Sequence, residues 1–115
     1  MAGAFDQLLA QIRTCRLCID DPIGSRLPHH PRPVLLAAPS ARLAVCGQAP
    51  GTRVHESGKP FTDPSGDRLR DWMGLSPDAF YDTSRIAIVP MGFCFPGLDA
   101  KGGDLPPRKE CAPLW

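Results

Sequence analysis

No stretch of this sequence approaches the roughly twenty consecutive apolar residues that a membrane-spanning helix needs. The N-terminus, MAGAFDQLLAQIR, carries Asp6 and no basic leader followed by an apolar run, so the expectation is a cytoplasmic chain that does not engage a membrane. An excess of charge is also missing. Thirteen Lys and Arg against twelve Asp and Glu leave a formal net charge of +1, which excludes a polybasic nucleic-acid binder read over the whole chain but permits a local basic face. There is no internal repeat, and no low-complexity tract outside one proline-rich stretch, which excludes solenoid architectures.

What is abundant is proline and glycine, fourteen and eleven in 115 residues, beside a hydrophobic content of 43%. The apolar share is that of an ordinary globular protein, so the fold should be loop-rich rather than disordered. A chain this short is one small domain or part of a larger one, and its core buries only about two-thirds of the unfolded surface, so further staples would help. Five cysteines leave one over if disulfides are drawn, and without a secretion signal the reading turns to metal binding or reactivity.

Along the chain, Phe5, Leu8, Leu9 and Ile12 recur at helical spacing and lead into Cys15-Arg-Leu-Cys18, so a short helix delivers a cysteine pair. Residues 1–19 form this helix and CxxC segment, 20–40 a connector with five prolines laid across a surface, and 41–115 the main domain. RLAVC (42–46) and RIAIV (85–89) are short apolar runs without alternation, expected as parallel strands buried on both faces, with Cys46 a small core residue. Between them, Ser65 is placed to cap a helix with Leu69, Trp72 and Met73 on one face, and Ser76-Pro77 starts another. Strand, loop, helix, strand makes a crossover unit of an α/β sheet with helices on both faces. Its ligand crevice lies beyond the strand C-termini, where the loops after Cys46 and Val89 should face each other.

Two constellations carry chemistry. Cys15-x2-Cys18 followed by Cys94-x16-Cys111 suits a tetrahedral thiolate site that ties distant chain segments together. The spacing does not choose between zinc and an iron-sulfur cluster, and four ordinary buried thiols are the alternative. The second is the bend Gly47-Gln48-Ala49-Pro50-Gly51, whose glycines and proline cramp the backbone so that a ligand can press against the main chain. By itself the bend reads as a tight structural turn. The longer stretch GQAPGTRVHESGKPFTDPSGDRL far exceeds the roughly two to six residues of a minimal strand-to-helix loop, and long crossover loops usually carry function.

GQAPG followed by GKPFTDPSGDRL resembles the first motif region of the uracil-DNA glycosylase superfamily, especially its iron-sulfur branches. An N-terminal CxxC, a cysteine just after the next strand and a fourth about sixteen residues later match the cluster ligands of those branches. The resemblance implies a partial three-layer α/β fold with a parallel central sheet and its C-terminal half missing, and a 4Fe-4S cluster, with zinc as the alternative, on Cys15, Cys18, Cys94 and Cys111. It implies a monomer that hydrolyses the N-glycosidic bond of uracil or another damaged base flipped out of DNA.

On this reading Phe61 stacks on the extruded base, and Gly47, Gln48, Ala49, Pro50, Gly51 and His55 lie against base and sugar. Cleavage passes through a sugar cation and a departing base anion, so catalysis asks for a carboxylate and a positioned water. Asp63 is the candidate, with Gln48 beside it; its other use, with Asp67, is charge compensation at a helix N-terminus. Glu56 is a further group near the crevice. Arg53, Lys59, Arg68 and Arg70 are candidates for phosphate contact. The chain departs from the family pattern in having Ala49 where well-known members place an acid, Gln48 where cluster-bearing relatives have Glu, and Pro90 where many have Asn. The family's second, histidine-bearing motif belongs to the half not contained here. Two other classes stay open: a non-catalytic iron-sulfur module that binds nucleic acid, and a hydrolase of small nucleosides.

Overall fold

The computed structural model describes residues 3–115. In chain order its elements are α1 (Ala4–Arg13), α2 (Leu17–Asp20), β1 (Leu43–Val45), α3 (Thr52–Ser57), α4 (Pro64–Met73), α5 (Pro77–Phe80), β2 (Ile86–Ile88) and α6 (Cys111–Leu114). β1 and β2 pair in parallel, with Leu43 opposite Ile86 and Val45 opposite Ile88, as their unbroken apolar runs predict. Among the described residues no helix is long and apolar enough to cross a membrane.

The proline-rich connector does not stay on the surface. Its last part lies along the free edge of β2, where Leu36 and Ile88 exchange two antiparallel backbone bonds of 3.1 and 2.7 Å. Pro31 and Pro33 have no N–H to offer, so pairing starts at Val34, which donates to the Phe93 carbonyl at 2.7 Å. Val34 and Leu35 are buried. β2 is therefore central, and the connector supplies it with a neighbour that its composition conceals.

Alternation about this centre builds two apolar layers. Leu9 and Ile12 of α1 meet Leu35, Phe93 and Val89 on one face. Phe80, Ile86 and Ile88 meet Leu36, Val45, Leu69 and Met73 on the other. A small sheet with helices on both faces is the α/β arrangement expected.

β1 is less buried than anticipated: Leu43 is 50% exposed and Cys46 is exposed rather than in the core, because β2 is the only strand that borders β1 among the described residues. Trp72 also departs from expectation and is 76% exposed. The inner face of α4 runs through Gly66, Leu69, Arg70 and Met73, and position 72 falls outside that stripe.

Phe80 is wholly buried and sits edge-on to Phe61 and Tyr81. Phe80→Ala should cost about 3–5 kcal/mol, whereas Trp72→Ala should stay within about 0.5 kcal/mol. Urea unfolding of both variants, compared by midpoint at constant slope, checks the contrast.

Candidate functional site

The two loops at the strand C-termini are bonded to each other. Beyond β1 and β2 the pairing continues as Val89 N–H to Val45 O at 2.9 Å, Met91 N–H to Gly47 O at 2.9 Å and Gly92 N–H to Gln48 O at 2.8 Å. The bend is thus an extension of the sheet. Gly47, Gln48, Ala49, Pro50 and Gly51 line one cavity with Phe61, Asp63, Ser65 and Pro90. A Cβ on Gly47 would lie 3.7 Å from the Phe61 ring, so the main chain of the bend and the aromatic face are neighbours across this space.

Phe61 has φ +58°, and it is the only non-glycine with positive φ among the described residues. Such a backbone costs on the order of 1–3 kcal/mol and needs support. Its carbonyl accepts from Arg70 Nη1 at 3.0 Å, while the Tyr81 hydroxyl accepts from Arg70 Nη1 at 3.1 Å and donates to the Pro60 carbonyl just before it at 2.5 Å. Arg70 is in turn fixed by Asp67 at 2.9 Å and is almost fully buried. Arg70 therefore does not face phosphates as expected; it is consumed in holding Phe61. Gly66 completes the support, because a Cβ there would come within 1.9 Å of the Phe61 carbonyl oxygen.

Asp63, rather than Ser65, is the N-cap of α4. Its Oδ1 accepts from the Gly66 N–H at 3.1 Å and from Ser65 Oγ at 2.7 Å. Proline at the first helical position and Asp63 before it are a strong start signal. The carboxylate is half-buried and lines the cavity while it caps.

His55 is not brought to the cavity. Its ring packs with His29 at 4.8 Å and Phe95 at 5.5 Å, and His29 Nε2 donates to the Phe95 carbonyl at 2.7 Å. Glu56 is exposed on the same helix, where its carbonyl and that of His55 each accept from Arg32 at 2.9 Å. Arg53, Lys59 and Arg68 are exposed along 53–68, and the Lys59 ammonium sits 4.0 Å over the Tyr81 ring.

Residues 34–115 match the family model described as the Uracil DNA glycosylase superfamily. The chain belongs to this superfamily. The match begins at Val34, the residue at which the connector starts to bond to the sheet. It takes in the bend, Phe61, Asp63, Cys94 and Cys111, and leaves Cys15 and Cys18 outside. Membership fits a glycosylase-type hydrolase whose partner is DNA.

Cys15, Cys18, Cys94 and Cys111 line a second cavity, walled also by Pro31, Pro33, Phe93, Arg108 and Glu110. They border the cavity without converging on a point, since among the described residues no three His, Cys, Asp or Glu are gathered closely enough for one metal ion. The Phe93 N–H donates to Cys111 Sγ at 3.3 Å. Burial pushes the Cys94 thiol up to about 12 and raises Cys18 and Cys111 too. Four soft donors on one apolar cavity, an amide aimed at a sulfur and a buried, unpartnered Arg108 Nε are a donor set that fits a thiolate-bound centre.

Motif reading overlooked Arg108, Glu110, Tyr81 and Asp104. Asp104 packs its carboxylate against the bend, with Oδ2 3.2 Å from where a Gly51 Cβ would stand. None of the four belongs to a short motif, and only their long-range contacts reveal them.

Gly66→Ala should destabilise the fold by about 1–3 kcal/mol because the Phe61 carbonyl must move, while Gly24→Ala, which meets nothing within 4 Å, should change little; thermal unfolding separates them. A second expectation concerns acid. Burial, then the charges of His29 and Arg32, lower the His55 pKa against a smaller opposing pull from Glu56, with His30 adding to the decrease. The unfolded chain then takes up the proton first as pH falls through about 6.5, so stability present above that pH is lost below it. His55→Phe should flatten this acid limb in urea titrations between neutral pH and pH 5.

Proposed function

We propose that the cavity at the strand C-termini receives a uracil or related damaged base flipped out of DNA, and that the protein hydrolyses its N-glycosidic bond. The observation that carries this reading is the meeting of the bend's main chain, the fixed Phe61 ring and the Asp63 carboxylate around one cavity. An aromatic face held by its own backbone is suited to stacking, because it is ordered before the base arrives. Gln48 offers an amide to base or sugar. As the glycosidic bond breaks, its electron pair leaves with the base and positive charge grows on the sugar. Asp63 stabilises that charge or orients the water that adds to the anomeric carbon, and the proton this water loses balances the one that the departing base anion takes up. Both capping bonds fall on Oδ1, so this role does not require the cap to break.

Arg53, Lys59 and Arg68 meet backbone phosphates in this proposal, which makes binding salt-sensitive. Cys15, Cys18, Cys94 and Cys111 hold a 4Fe-4S cluster, with zinc as the alternative. When bound, such a centre supplies metal-thiolate bonds that clamp the CxxC segment to the main domain. A visible absorption spectrum of anaerobically purified protein distinguishes iron from zinc.

The test is single-turnover cleavage of an oligonucleotide carrying one uracil by the full natural polypeptide. Product should form above background, and Phe61→Ala should slow it by about fivefold to 150-fold, the range set by 1–3 kcal/mol of stacking. Binding without product would favour the non-catalytic module, to which the absence of acids at Gln48 and Ala49 also points. Cleavage of free deoxyuridine alone would favour the nucleoside hydrolase.

A further inference from the structure

The cysteine cavity has a charged wall that this function leaves unexplained. Arg108 and Glu110 both line it. Arg108 Nη2 donates to Glu110 Oε2 at 2.7 Å and to the Ser25 carbonyl at 2.6 Å. Glu110 is 5% exposed and accepts as well from the Ile23 N–H at 3.2 Å. The pair therefore ties the segment that follows Cys18 to the residue that precedes Cys111.

This anchoring leaves the guanidinium little freedom. Its donors form a rigid planar fork, and two acceptors on Nη2 fix the plane. Nε is nevertheless buried with no partner, an arrangement that is costly unless something accepts from it. The guanidinium lines the same cavity as the Cys18 thiol. A buried cation with an unspent donor, beside four thiols, calls for an anionic, sulfur-rich acceptor.

We propose that Arg108 is a positioning residue for the sulfur-bound centre: its fixed guanidinium donates to sulfur at the Cys18 corner and sets the centre's reduction potential, with Glu110 as its anchor. The inference rests on the proposal that the cysteines hold an iron-sulfur cluster. Hydrogen bonds to the sulfurs and the net charge around a cluster are what tune its potential. A nearby cation favours the reduced state, which carries one more negative charge.

The experiment uses anaerobically purified protein, read by iron content, visible absorption, potentiometric titration followed by EPR, and bleaching by an iron chelator. Arg108→Gln should lower the midpoint potential and speed bleaching several-fold. Arg108→Lys keeps the charge but not the fork, so it should restore the potential while still bleaching faster than the parent. Glu110→Gln removes a negative charge and should move the potential upward, a change of opposite sign that mere loosening of the fold would not give. Parent protein without iron would sink the cluster reading itself. Parent protein that carries the cluster, with an unmoved potential in R108Q, would overturn this inference alone. If R108Q does not load, E110Q decides, and a potential that falls or stays put there counts against it.

Discussion

The structure depends on the strap that continues β2, residues 89–94. Its amides bond the bend, through Met91 to Gly47 and Gly92 to Gln48, and its carbonyl at Phe93 accepts from Val34. Pro90 lines the cavity at the bend, while Gly92, Phe93 and Cys94 line the cysteine cavity. One short run of backbone is thus a wall of both sites. Whatever fixes Cys94 also limits how far the floor beneath Gln48 can move, because few flexible residues intervene. A thiolate centre of the kind proposed would therefore act on the cavity at the bend through backbone alone, with no chemical step of its own.

The second constraint is the strained backbone at Phe61. A positive φ at an aromatic residue is unfavourable in isolation, and here it persists because Arg70 and Gly66 specify the position of its carbonyl while Tyr81 holds the Pro60 carbonyl just before it. Their cost is visible: an arginine is almost fully buried, with one exposed carboxylate as its partner. Strain held by that much machinery is expected where a side chain must be in place before its ligand arrives. The T-shaped contact with Phe80 at 5.8 Å then joins the ring to the core layer beneath the sheet. Precision in the cavity is in this sense an extension of core packing.

Local signals in the sequence survive into the structure where the physics is local. The runs of β1 and β2, the cap at Ser76 and the Gly-Pro bend obey backbone rules that operate within a few residues, whereas the cap of α4 falls at Asp63, two residues before the Ser65 expected. Family resemblance drew attention to Phe61, Asp63 and the cysteines together. What escaped depends on partners far along the chain. Arg70 reads as a surface charge until Phe61 and Tyr81 are placed beside it. The edge pairing of Leu36 is masked by the prolines before it. Arg108 and Glu110 acquire meaning only when Ser25 and Ile23 fold back against them. The exposure of Trp72 follows from helix phase: Leu69 and Met73 already occupy the inner stripe, so position 72 faces outward.

The position of Asp63 bears on how a fold of this size can combine stability with an ordered cavity. A residue that caps a helix is ordinarily assigned to stability alone, and the capping bonds of Asp63 are sufficient to explain its presence. Yet capping also fixes the orientation of a carboxylate without a dedicated scaffold, since the amide of Gly66 and the hydroxyl of Ser65 hold one oxygen and leave the group facing the cavity it lines. The same glycine that donates this bond is the one whose missing Cβ makes room for the Phe61 carbonyl. The aromatic face and the acid are therefore positioned by a single helix turn. A chain with little core to spare gains a preorganised site from contacts that its secondary structure needs in any case.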